Sequence, residues 1–237
     1  PSVTSLTPKV RTQRAAANGT LGEVEWGATV TSVLLALVSA VVVTIVAVPV
    51  AVLARRYPRT WTRAMERTGY GANALPGVVV GLSLVFLAAR YLPAVYLTFP
   101  LLIAAYLIRF FAQALSGVDT ALAAVNPRTE EAARSLGRNP LQVLREVTLP
   151  LMRPGLFAAA MLVFLSVIKE LPVTTLLIPT GSRTLATEVW RKTTIGAYGA
   201  AAVPALVLIL VAIPFILVAV REHTLDAPAE STATTLT

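Results

Sequence analysis

The chain has no cysteine and a single histidine, His223, in 237 residues. Disulfide frameworks and Cys/His metal sites are excluded by that count, and imidazole chemistry has one C-terminal candidate. Charge is scarce as well. Asp, Glu, Lys and Arg together make 14% of the chain, where a soluble domain carries about 25%. None of the lysines, Lys9, Lys169 and Lys192, follows a glycine. The Gly-Lys-Ser/Thr of a phosphate-cradling loop is therefore missing, so the chain is not expected to hydrolyse ATP itself. There is no internal repeat and no recognisable cofactor or metal motif.

What is present is apolar. Hydrophobic residues make 56% of the sequence, and mean hydropathy is +0.73. The formal charge of +8 would point to nucleic acid in a soluble protein. Here aromatics are only 7% and the basic residues cluster at the ends of apolar runs, which is a membrane-topology signal instead. A spanning helix needs about 20 mainly apolar residues. Five runs approach this, near 28–54, 75–92, 96–118, 155–178 and 203–220. The expectation is an all-α polytopic membrane protein of about five transmembrane helices. The third run contains Arg109, and the fourth contains Lys169, Glu170 and Pro172, so either can be interrupted or re-entrant. Gly77 and Gly81 in the second run form a GxxxG pair, either a close-packing face or a chance spacing.

Arginines set the orientation. Arg55, Arg56, Arg59, Arg63 and Arg67 follow the first run, Arg128, Arg134, Arg138, Arg145 and Arg153 follow the third, and Arg221 follows the fifth. These regions share one side if all five runs span, and the positive-inside rule makes that side cytoplasmic. Residues 1–27 then form an external flank, and the Ala/Thr-rich end, 223–237, a disordered tail. A start at Pro1 rather than Met reads as a fragment or one half of a longer chain.

One polar stretch interrupts the apolar pattern: EEAARSLGRNPLQVLREVTLP, 130–150. Asn126-Pro127 is a helix start, with Asn as cap and Pro at the first helical position. Gly137 is a C-terminal stop. Asn139-Pro140 repeats the start, with Gln142 in the capping-box position. Leu149-Pro150 is expected to stop the second helix, and Arg153-Pro154 to open the next membrane segment. Two short helices result, with apolar faces from Ala132, Ala133 and Leu136 and from Leu141, Leu144 and Val147. Such a pair suits docking into a groove on another protein, or lying on the membrane surface.

The spacing Glu131-Ala132-Ala133, Gly137, then Val147-Thr148-Leu149-Pro150 resembles the EAA motif of the permease subunits of binding-protein-dependent ABC importers. The resemblance covers roughly residues 31–220. It implies that 126–150 is a coupling insert seated in a cytoplasmic ATPase dimer, with Glu131, Ala132, Ala133, Gly137, Val147, Leu149 and Pro150 as its coupling residues. The permease transmembrane domain is then 28–222. Other implied partners are a second permease half, an external substrate-binding protein and membrane lipid, with no nucleic acid and no cofactor. The implied location is the bacterial inner membrane.

A second stretch, FLSVIKELPVTTLLIPTGSRTLATEVW at 164–190, resembles the ferric-iron branch through Lys169-Glu170-Leu171-Pro172, Thr184-Leu185-Ala186 and Trp190. It implies a substrate path near Lys169, Glu170 and Pro172, and external docking near Thr184, Leu185 and Trp190. Phosphonate, thiamine, polyamine or oxyanion permeases are the alternatives, and an ion-driven secondary transporter is a further one. At 1.5 Å per residue, Lys169 lies roughly 22 Å along a helix from Pro154, in the outer half of the bilayer. Ionisable groups at such depth are costly and often functional. Glu170 either meets substrate or pairs with Arg109.

Overall fold

The computed structural model describes residues 25–56, 60–72 and 75–225. Residues 1–24 of the expected flank, Arg59, and 226–237 of the expected tail lie outside them. The described residues form helices joined by turns, with no strand among them. In chain order these are α1 (Trp26–Arg56), α2 (Thr60–Ala72), α3 (Gly77–Tyr91), α4 (Phe99–Ala123), α5 (Pro127–Ser135), α6 (Pro140–Val143), α7 (Leu149–Ile168), α8 (Pro172–Leu177), α9 (Leu185–Thr194) and α10 (Tyr198–Leu225).

Four stretches are long and apolar enough to cross a bilayer: Trp26–Arg56, Phe99–Ala123, Pro140–Ile168 and Tyr198–Leu217. The second run is different. Its helix, α3, has 15 residues and rises about 22 Å, against a hydrocarbon core of about 30 Å. Proline sets the end: Pro93 excludes helical backbone at the residue before it, and Leu92 leaves the helix at φ −135°, ψ 55°. The expectation of about five spans thus becomes four full spans and one short apolar helix. The third run is a single unbroken helix in spite of Arg109. The fourth is interrupted: α7 stops at Ile168, and the chain resumes as α8 at Pro172.

One expected boundary is corrected. Leu149-Pro150 does not stop a helix. A π-helical turn, Leu144–Thr148, joins α6 directly to α7, and the Leu149 N–H donates to the Leu144 carbonyl. Proline lacks an N–H and is tolerated in the first turn of a helix. The widened turn before it presents that opening, so Pro150 sits in the first turn of α7. Pro154 falls inside α7.

Helix α1 packs on α4 and α7, and those two pack on each other. Val43, Leu102, Tyr106, Leu115 and Phe164 are buried at the centre. The Phe215 ring of α10 lies 4.0 Å from that of Phe164. Leu34, Ile45, Leu210 and Leu217 point outward and are exposed, as lipid-facing positions of membrane helices are. Association of helices in lipid depends on close packing, which favours small residues. A Cβ added at Gly117 would lie 2.6 Å from Ala159 Cβ, and one at Gly155 would lie 2.5 Å from Ala121 Cβ. Each helix thus offers a small-x-x-x-small pair to the other. Gly77 and Gly81 also form a packing face, on α8: a Cβ at Gly81 would meet Leu176 Cδ1 at 2.7 Å.

Candidate functional site

The polar insert folds as its capping residues dictate. The Asn126 side chain accepts from the Arg128 N–H at 3.0 Å, with Pro127 at the first position of α5. Helix α5 ends at a glycine turn. Gly137 has φ +84°, its N–H donates to Arg134 O, and the Arg138 N–H donates to Ala133 O. This is the two-bond pattern that closes a helix on a left-handed residue. Asn139 and Gln142 then exchange side-chain and backbone bonds, a complete capping box for α6.

The turn leaves two leucines in the open. Leu136 is 84% exposed and Leu141 73%. Glu131 and Ala132 are exposed, and Ala133, Val147, Leu149 and Pro150 are partly covered. The neighbouring Glu130 is buried instead. Its carboxylate pairs with Arg56 at the end of α1, and Thr148 Oγ1 donates to it at 2.7 Å. Arg55 pairs with Asp119 of α4 at 2.9 Å beside it. The sequence reading singled out Glu131 and passed over Glu130. Glu130 ties α5 to the end of α1.

Between α4 and α7 runs an open groove of about 930 Å³. Gln113, Ser116 and Thr120 line it from α4, and Gly155, Ala158 and Leu162 from α7. Arg109, Gln113, Ser116 and Thr120 follow one another at spacings of four, three and four residues, which puts them on one face of α4. Gln113 Nε2 donates to the Leu162 carbonyl at 3.2 Å. Hydroxyl and amide groups share the lining with Leu151, Met152, Pro154 and Leu162, so apolar surface predominates.

At the far end of α7 the helix break organises a second polar cluster. Glu170 Oε1 accepts from the Val173 N–H at 3.3 Å, capping α8. Thr174 Oγ1 donates to the Glu170 carbonyl at 2.6 Å and lies 2.6 Å from the hydroxyl of buried Tyr106. Glu170 Oε1 and Arg109 Nε converge on Gly77, 3.2 and 3.5 Å from where its Cβ would be. Lys169 and Pro172 are exposed. Glu170→Gln is expected to lower the thermal stability of the solubilised protein by about 1–3 kcal/mol. Adding Arg109→Gln should recover part of that loss. Unchanged stability with slowed transport would instead assign Glu170 to the substrate path.

Helix α9 closes the same end. Thr184 and Leu185 are buried, and Trp190 is 56% exposed. Thr184 forms a capping box with Thr187, and the Leu185 N–H donates to Ser32 Oγ of α1 at 2.7 Å. Buried Glu188 pairs with Arg191 at 2.6 Å and Arg183 at 3.3 Å, and Lys192 reaches Glu25 at 3.1 Å. Burial works to raise the Glu188 carboxyl pKa. The Arg191 hydrogen bond and the charges of Arg191, Arg183 and Lys192 outweigh it and hold the group below the ordinary carboxylate value.

Four stretches long and apolar enough to span, a broken helix and a capped polar insert at one end make a polytopic membrane domain. The profile of the family described as the binding-protein-dependent transport system inner membrane component matches residues 45–225, and the chain belongs to that family. It is 38% identical over 164 residues to the Fe(3+)-transport system permease protein FbpB 2 of Haemophilus influenzae, covering 69% of this chain and 32% of that protein. The chain thus spans about a third of that relative's length. It is 28% identical to a putative 2-aminoethylphosphonate transport system permease protein, PhnV, of Salmonella typhimurium, over 84% of this chain and 74% of the relative. Among solved structures, the MetNI methionine ABC transporter superposes with TM-score 0.63 at 20% identity, covering 84% of this chain and 94% of that one. A bacterial alginate importer gives 0.66 at 16% identity, over 91% and 84%. These likenesses establish the permease fold.

Proposed function

We propose that this chain is a membrane-embedded half of an ATP-driven importer that carries ferric iron across the bacterial inner membrane. The observation that carries the reading is the insert: a rigid glycine turn presenting Leu136 and Leu141 to solvent, with the capped helices α5 and α6 on either side. It is a ready-made knob for a groove on a partner, here a cytoplasmic ATPase dimer, with Glu131, Ala132 and Ala133 on its exposed rim. The identity with FbpB 2 supports iron as cargo. The groove between α4 and α7 supports a conduit whose other wall comes from a second permease half, in the same longer chain or a homologous subunit. Trp190, Ile195 and Tyr198 are exposed at the α9 end and offer a surface to an external binding protein.

The experiment is reconstitution of the chain with its second half, ATPase and binding protein in liposomes. Expected is ATPase co-purification and ATP-dependent uptake of ferric iron. Uptake of 2-aminoethylphosphonate or spermidine in its place would move the cargo to another branch. Uptake driven by an ion gradient without ATP would overturn the reading.

A further inference from the structure

We propose that Glu130 is the positioning residue through which the coupling insert grips two membrane helices at once. The proposal rests on the importer reading above. Glu130 is 2% exposed, and its carboxylate is held from both sides. Arg56 comes from the last turn of α1. Thr148 comes from the π turn that runs into α7. A carboxylate in such a place is costly unless it is paired. Separating α5 from α1 would strand the Glu130 carboxylate in a covered site. The three segments therefore move together when the insert is pushed.

The connectivity shows why this matters. Through the backbone alone, α5 and α6 pass movement to α7, because α6 continues into it. Helix α1 has no such link to the insert, and Arg56–Glu130 supplies one. The clasp also borders a cavity of about 320 Å³, lined in part by Pro49, Val52, Arg56, Pro140, Leu144 and Thr148. Exposed Glu131 lies about 100° round the same helix and is open to solvent, where it can meet the ATPase. Glu130 and Glu131 are thus adjacent in sequence and divided in task, one facing inward to the bundle and one outward.

The test uses the complete reconstituted transporter with Glu130→Gln, Thr148→Val, and the double variant Arg56→Gln/Glu130→Gln. Three quantities are read: ATPase co-purification, the melting temperature, and ferric iron moved per ATP hydrolysed. Glu130→Gln should keep the ATPase bound and hydrolysing, while iron moved per ATP falls between about twofold and about thirtyfold. Thr148→Val should fall in the same direction by less. The double variant removes both charges, so it should recover melting temperature but not the transport ratio. That combination separates transmission from mere stability. A wild-type ratio in the double variant overturns the proposal, and so does loss of ATPase binding in Glu130→Gln while the wild type binds. If the wild-type complex itself fails to bind the ATPase, the importer reading falls first and this proposal falls with it.

Discussion

Gly155→Ala should lower stability more than any other single-methyl addition in the membrane bundle, and Ala121→Gly should restore most of it. The new Cβ would lie 2.5 Å from Ala121 Cβ and 3.0 Å from Ala121 Cα. One of those atoms is backbone, so no rotamer change relieves the contact, and α4 and α7 must part. Overpacking of this kind costs about 1–3 kcal/mol. Thermal unfolding in detergent, followed by fluorescence or by loss of monodisperse protein, measures it. In the double variant the same methyl is removed from the facing helix. Recovery should fall short by about 0.5–1 kcal/mol, because glycine in a helix interior is itself unfavourable. Absence of recovery would show that α4 and α7 do not meet at this point.

The second large effect belongs to the glycine turn. Gly137→Val is expected to leave the protein inserted and folded yet reduce transport about tenfold or more. Nothing lies within 4 Å of the position where its Cβ would be, so there is no steric partner to displace. The cost is in the backbone. At φ +84° a residue with a side chain carries about 1–2 kcal/mol of strain, and a β-branched one more. The turn relaxes that strain by opening, and Leu136 and Leu141 then no longer present one surface. Gly137→Asn is the control, since asparagine tolerates left-handed backbone. It should retain most transport. Equal losses in both variants would mean that the side chain itself obstructs docking.

The two glycines illustrate how much the sequence discloses. The insert was legible because its signals are local. Asn126-Pro127, Gly137 and the Asn139/Gln142 box each satisfy backbone groups within four residues, and all form as read. The Pro150 boundary was misread for an equally physical reason. The helix runs through Pro150, as it does through Pro49 and Pro154, and the π turn before Pro150 has no sequence mark here. The choice between Glu130 and Glu131 was closed to a local reading. Which of two adjacent carboxylates is buried depends on Arg56, 74 residues away. Thr184 and Leu185 read as surface, yet the contact with Ser32 on α1 draws them inward. The crossing of α4 and α7 was written in Gly117/Ala121 and Gly155/Ala159. In an alanine-rich chain that spacing is too common to stand out.

The shortness of α3 concerns the lipid more than the protein. A rod of about 22 Å beside neighbours long enough for a layer of about 30 Å leaves a mismatch on one flank only. A bilayer meets so short a rod by thinning beside it, by snorkelling of flanking side chains or by association with another helix, and Pro76 and the turn at Pro93–Val95 bound the rod. Phe86 and Tyr91 are exposed along this flank. It is also on this flank that Gly77 covers Glu170 and Arg109. Glu170 and Arg109, which seem deep when counted along α7, thus lie where the apolar helix of this flank begins.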